Sequence, residues 1–317
     1  MIIPIVTYHY VRPQNKRFSE NHKSLDLQEF LRQLDILNNG YHCIRGAQIN
    51  DLTGDTDLSG KKPVWLSFDD GYSDHYNYVF PELMSRGAVG SFFIPTEAIF
   101  GRKLLDVNKV HLILAANSDI NDLIEQIREL FNTNYGDAVL DTSFDELQHD
   151  YSVATLINDP DTRFVKLLLQ ELLPGNLREI ILSSLFKEHV KRSESAVVDE
   201  LYMDPDQVKS MYESGMHIGS HGHMHSRLEF MTHESQLVDF ELSVNHLRSI
   251  GVENANVVVC YPYGSFNKET KTVLSNIGCK AAISAKLGIV DTNDRDFDWL
   301  ELSRIDTKFF SQYFGSA

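Results

Sequence analysis

The 317-residue chain has only three cysteines, Cys43, Cys260 and Cys279, and they form neither a metal-type spacing nor an even set. A disulfide framework is therefore not expected, and a reducing compartment is. Basic residues are also scarce: 29 Lys and Arg face 45 Asp and Glu, a formal charge of −16. Nucleic acid and anionic membrane demand basic patches, so neither is expected as the main partner. No apolar run approaches the ~18 residues of a membrane span. The amino terminus, Met1 to His9, shows no basic n-region, long apolar stretch or small-residue cleavage site, so a cytoplasmic location is the expectation. Repeats and low-complexity tracts are missing too. What remains is an ordinary globular composition, 42% hydrophobic and 23% charged, enough for one α/β barrel with an insertion or for two smaller domains.

The stretch that organises the chain is Val64 to Tyr72, an apolar run that stops at Asp69, Asp70 and Gly71. Its β-branched and aromatic residues read as a buried strand, with the two carboxylates at its carboxyl end, where α/β folds place active sites. Adjacent strand residues point to opposite faces, so the pair converges only if the strand breaks there, which Gly71 permits. Two ionised carboxylates this close call for a shared proton, a basic partner or a metal ion. The plain alternative is a turn with an Asp cap for the helix beginning near Tyr72.

A second cluster, Gly215 to His225, holds His217, His221, His223 and His225. Imidazole is the commonest transition-metal ligand, and the i, i+4 spacing of His221 and His225 puts two rings on one side of a helical turn. One carboxylate with two imidazoles leaves coordination positions open, as catalytic sites require. His217 and His223 read as bystanders, and scattered surface histidines are the alternative for the whole group.

In chain order, the spacing predicts a strand over Ile2–Tyr8 ending at His9, a helix over Leu25–Asn39, a short strand at Tyr41–Ile44 and a polar loop over Asp51–Lys62. After the central strand come a helix at Tyr72–Arg86 and a strand at Gly90–Pro95. Residues 101–198 change rhythm to helical periodicity alone and read as a helical insertion, for packing or as a lid. The α/β alternation then resumes, with a helix at His233–Ile250, strands at Ala255–Tyr261 and Lys280–Ser284 around a helix at Lys268–Ile277, and a last extended piece at Trp299–Thr307. Residues 1–100 and 199–317 thus form the expected α/β unit. His9 could face the same mouth as Asp69 or be a partly buried histidine bonded to backbone.

Three ordered motifs, Ser67-Phe68-Asp69-Asp70-Gly71, Ile218-Gly219-Ser220-His221 with His225, and Tyr261-Pro262-Tyr263-Gly264, resemble the polysaccharide deacetylase family, carbohydrate esterase family four. Tyr8-His9 and Ser303-Arg304-Ile305-Asp306 resemble the branch found in surface-polysaccharide biosynthesis. The resemblance implies a distorted (β/α) barrel, often of seven strands in the family, and a divalent metal, usually zinc. It also implies hydrolytic removal of an N-acetyl group from an amino sugar. Carried over residue by residue, Asp70, His221 and His225 become metal ligands and Asp69 the general base, with Tyr263 and Gly264 candidates for the oxyanion contact. Three departures stand out: Gly222 where the family has Ser or Thr, Cys260 in place of an arginine that pairs with the base, and Arg304 in place of a general-acid histidine. Arg304 is accordingly read as a substitute partner for Asp69, against the alternative of a surface arginine, and His9 as the candidate acid. The rival functions are a metal-binding but inactive carbohydrate-binding barrel and a metal-dependent hydrolase of another amide or ester. The sequence leaves oligomeric state and the particular sugar open.

Overall fold

The computed structural model describes residues 1–14, 24–52, 56, 58–134, 140, 142–154, 159–253 and 257–315. Eight parallel strands organise the larger of two compact units, which comprises residues 1–19, 23–103 and 198–317. They are β1 (Ile5–Tyr8), β2 (Tyr41–Cys43), β3 (Lys62–Asp69), β4 (Ser91–Ile94), β5 (His217–Ser220), β6 (Val258–Cys260), β7 (Ala281–Leu287) and β8 (Leu302–Asp306). Seven of them close a barrel in the order β1-β8-β7-β6-β5-β4-β3, with β3 pairing back onto β1. β2 adds outside the ring, against the start of β3 at Lys62–Val64. The fold is therefore the distorted (β/α) barrel that the motifs imply.

Parallel strands covered on both faces need near-continuous apolar runs, and β1, β4 and β6 are buried at every position. Pro4 divides the expected Ile2–Tyr8 strand, since it has no N–H to give a ladder. Ile2–Ile3 pairs antiparallel with Val290–Asp291, and only Ile5–Tyr8 enters the barrel. The helix Leu27–Gly40 is capped by Asp26 and buries Phe30, Leu34 and Leu37, the apolar stripe visible in the sequence. The expected strand at Ala255–Tyr261 is shorter, Val258–Cys260, and residues 255–256 lie outside the described residues, as do 53–55 and 57 of the Asp51–Lys62 loop.

The second unit, residues 20–22 and 104–197, is built from helices, with no strand among its described residues. Its helices are Asp106–Ala116, Ile120–Asn134, Phe144–Tyr151, Pro160–Leu167 and Gly175–Leu185, the last two each running on through a wider π turn. Phe144 sits at its centre, with ring centroids 5.5 Å from both Phe131 and Phe164. Ser143 and Glu146 form a reciprocal capping box that starts the Phe144 helix. No described helix of the chain is long and apolar enough to cross a membrane.

Candidate metal centre and active site

The site gathers where the barrel strands end. β3 terminates at Asp69, and the next two residues both turn left-handed, with φ of 74° at Asp70 and 67° at Gly71. The break therefore begins one residue earlier than Gly71 alone would place it, and Asp70 itself adopts the unusual backbone. A non-glycine residue in this region costs about 1–2 kcal/mol. In return, the two adjacent carboxylates separate into different surroundings.

Asp70 Oδ1 lies 3.3 Å from His221 Nε2 and 3.2 Å from His225 Nε2. The two histidines leave β5 on a loop rather than on the helical turn expected from their spacing. Left-handed residues at Gly222 (φ 70°) and His225 (φ 56°) coil that loop so that both rings face Asp70. Asp239, buried on the helix His233–Ser249, pins it by accepting the backbone N–H groups of His223 at 2.8 Å and Met224 at 3.0 Å. A Cβ at Gly222 would come within 2.9 Å of Asp239 Oδ2, so glycine here leaves room for the pinning carboxylate. Nothing in the sequence marked Asp239. His223 is held by Thr96 Oγ1 at 2.9 Å and stands 3.3 Å from Glu97, while His217 is buried within β5 against Phe93.

The donor set fits a cation. His221 gives its Nδ1 hydrogen to the Cys260 carbonyl at 2.7 Å and turns Nε2 to the acidic oxygen, where a deprotonated Nε2 would offer its lone pair to a cation. A ring nitrogen and a carboxylate oxygen facing each other at that range need a proton or a metal cation between them. Metal–ligand bonds of about 2.0–2.2 Å separate donors by about 2.8–3.1 Å at right angles and about 3.3–3.6 Å at tetrahedral angles. The observed 3.2 and 3.3 Å fall between these limits. Burial works against charge on Asp70, but the hydrogen-bonding rings of His221 and His225 outweigh it and hold the carboxyl well below the usual carboxylate range.

Asp69 sits apart from this set, with no exposed side-chain surface. Its Oδ1 accepts from Ser67 Oγ at 3.1 Å, and its Oδ2 from Arg304 Nη1 at 2.5 Å and from Cys260 Sγ at 3.3 Å. Burial opposes its charge, and Arg304, His221 and His9 together outweigh it, so the carboxyl stays below its ordinary range. Burial and the charge of Asp69 together push the Cys260 thiol up, which keeps it a donor. Arg304 lies within β8 rather than after it, and its guanidinium does not fork onto Asp69. Nη1 alone makes the contact, shared with Cys260 Sγ at 3.2 Å. A thiol at position 260 is small enough to leave that space, a role the sequence showed only as a missing arginine.

His9 follows β1 with 43% of its side chain exposed, and its Nε2 is 3.8 Å from Asp69 Oδ2. Its carbonyl accepts from the buried ring of His75 at 2.8 Å. Tyr263, left-handed at φ 57°, packs its ring 4.7 Å from that of His225. The N–H of Gly264 is already engaged by the Tyr261 carbonyl at 2.9 Å, which removes Gly264 as an oxyanion donor. Gly264 is instead a packing position, since a Cβ there would lie 2.3 Å from that of Ala285.

Residues 180–282 match a family described as polysaccharide deacetylase, a span that includes His221, His225 and Tyr263 but neither Asp69–Asp70 nor Arg304. A search of curated proteins finds no match. Among solved structures, the fold is similar to Streptococcus pyogenes deacetylase PplD in complex with acetate, at 18% identity over 96% of this chain and 92% of that one, with a TM-score of 0.58. It is also similar to IcaB from Ammonifex degensii, at 16% identity over 99% and 97% and a TM-score of 0.59. A third likeness is to the BpsB deacetylase domain from Bordetella bronchiseptica, at 14% identity over 96% and 95% and a TM-score of 0.53. At these identities the likeness is one of fold. The chain thus matches the polysaccharide deacetylase family in sequence over residues 180–282, and it is similar to deacetylases in fold over nearly its whole length.

Proposed function

We propose that this protein hydrolyses the acetamide of an N-acetylated amino sugar, with Asp70, His221 and His225 holding one divalent ion, zinc by donor chemistry, and Asp69 acting as general base. The observation that carries the proposal is the division of labour between neighbours. Asp70 shares its oxygen with two imidazoles, while Asp69 is fixed and kept ionised by Arg304. An ion held there would supply Lewis acidity to the acetamide carbonyl and lower the pKa of a water molecule. Asp69 would take the proton of the attacking water. A carboxylate has about four acceptor sites, and Ser67, Cys260 and Arg304 use three of them.

Tyr263, against the His225 ring, is the residue we assign to the oxyanion through its backbone N–H. His9, exposed at the mouth and 3.8 Å from Asp69, is assigned to protonate the leaving amine. The branch concerned with surface polysaccharide is supported by the segments that resemble it, since Tyr8-His9 and Arg304 both close around Asp69. The test is acetate release from N-acetylated sugars by the metal-loaded protein. Asp69→Asn is expected to keep the metal and lose about 10²–10⁴ in turnover, whereas His225→Ala loses the metal. Equal metal loss in both variants would show that the two aspartates have been assigned the wrong way round.

A further inference from the structure

We propose that a polar cavity beside the turn that follows β3 binds the sugar unit next to the acetamido sugar, and that this unit is uncharged or amine-bearing rather than phosphorylated. The inference rests on the deacetylase reading of the adjoining site. The cavity encloses about 290 Å³ and is lined by Arg12, Asp74, Asn77, Arg102, Asp199 and Glu200, among others. That lies near the lower end of ligand pockets, about 300–1,000 Å³, so it suits one ring rather than a chain.

Its position follows from the chain. Asp74 is four residues beyond Asp70, and four residues span at most about 14 Å. The cavity wall is therefore within reach of a short oligosaccharide whose acetamide occupies the site. The walls are also fastened to the turn that carries the two aspartates. Met203 N–H donates to the Gly71 carbonyl at 3.0 Å, Ser73 Oγ donates to the Glu200 carbonyl at 2.6 Å, and Arg102 Nη1 donates to the Met203 carbonyl at 3.0 Å.

The lining chemistry selects the ligand. Arg12 and Asp74 pair at 2.7 Å with side chains only 5% and 7% exposed, and the Arg12 guanidinium lies 4.7 Å over the Tyr10 ring. A charge pair sunk beside an open cavity is costly as packing alone, but it offers fixed donors and acceptors to vicinal hydroxyls, which both give and take hydrogen bonds. At the rim, Arg102 pairs with Asp199 at 2.7 Å. Four lining carboxylates, Asp74, Asp199, Glu200 and Asp204, face two guanidiniums, and both guanidiniums are already paired. A phosphate would meet net like charge there, whereas a hydroxyl or an ammonium would not. A sugar linked directly to a diphosphate would have to place its phosphates elsewhere.

The experiment compares acetate release from four probes: N-acetylglucosamine, its 1-phosphate, the N-acetylated disaccharide, and that disaccharide with one free amine. Both disaccharides are expected to exceed the monosaccharide in kcat/KM by about tenfold or more, the scale of one hydrogen bond to a charged group, with the 1-phosphate no better than the monosaccharide. In the double variant Asn77→Ala, Asp199→Ala, whose side chains lie at the exposed rim, the gap should close. Equal kcat/KM for all probes, a 1-phosphate that is best, or a gap that survives the double variant would overturn the proposal. If none of the four releases acetate, the deacetylase reading fails instead. The cavity is then judged by saturation-transfer NMR with the disaccharides: a signal lost in the double variant supports it, and an unchanged signal refutes it.

Discussion

Asp69 shows what a buried charge needs. An ion taken out of water costs several kcal/mol unless partners restore the loss, and here they come from three strands: Ser67 of β3, Cys260 of β6 and Arg304 of β8. One nitrogen of Arg304, Nη1, touches both Asp69 and the Cys260 sulfur, and the rigid guanidinium plane fixes where it lies. An ammonium is a single rotating point. Arg304→Lys is accordingly expected to lower kcat by about tenfold or more with metal content unchanged, since each 1.4 kcal/mol of lost stabilisation is a factor of ten. Full activity of the Lys variant would show that Asp69 needs no fixed cation. Positions 260 and 304 should also be coupled. Cys260→Arg puts a second guanidinium into a wholly buried place beside the first, so alone it should destabilise, and adding Arg304→His should recover part of that loss. A double-mutant cycle on unfolding free energy measures this, and simple additivity would refute it.

At the scale of elements, the loop after β5 matters more than any single helix or strand. It brings His221 and His225 together without helical hydrogen bonds, so its shape depends on left-handed backbone and on Asp239 holding two N–H groups. Asp239→Ala would leave those part-buried donors without their acceptor, at about 1 kcal/mol each. The expected outcome is a lower Tm together with weaker metal binding, read by thermal unfolding and metal titration. A lower Tm with unchanged metal affinity would mean that the ligand loop holds its own shape. The i, i+4 spacing suited a helical turn, and the structure has a loop there instead.

For the whole molecule, the ligands tie strand ends that are not neighbours, because Asp70 follows β3 and the histidines follow β5, with β4 between them. A metal bound there stabilises the folded barrel by mass action, by about 4 kcal/mol at a concentration 1,000 times Kd. Chelation is thus expected to lower the Tm of the wild-type protein by several degrees and to leave His225→Ala nearly unmoved. A Tm indifferent to chelation in both would argue against a bound metal. Much of this architecture was legible in the sequence. Alternating strand and helix patterns with buried β-branched runs dictate a parallel barrel, because such strands must be covered on both faces. Residues 104–197 show helical periodicity alone for the same local reason. The motifs Asp69–Asp70 and His221–His225 were legible as a candidate site, and the structure brings Asp70, His221 and His225 together. What local pattern could not carry was the closure of the ring. Arg304 meets Asp69 across 235 positions only because β8 lies between β7 and β1, and Cys260 leaves room for it only because β6 ends beside them. Asp239, silent in the sequence, acquires its role because a helix face turns it onto a loop. Contacts of that kind are set by how strands order around the barrel, which depends on the packing of the whole chain.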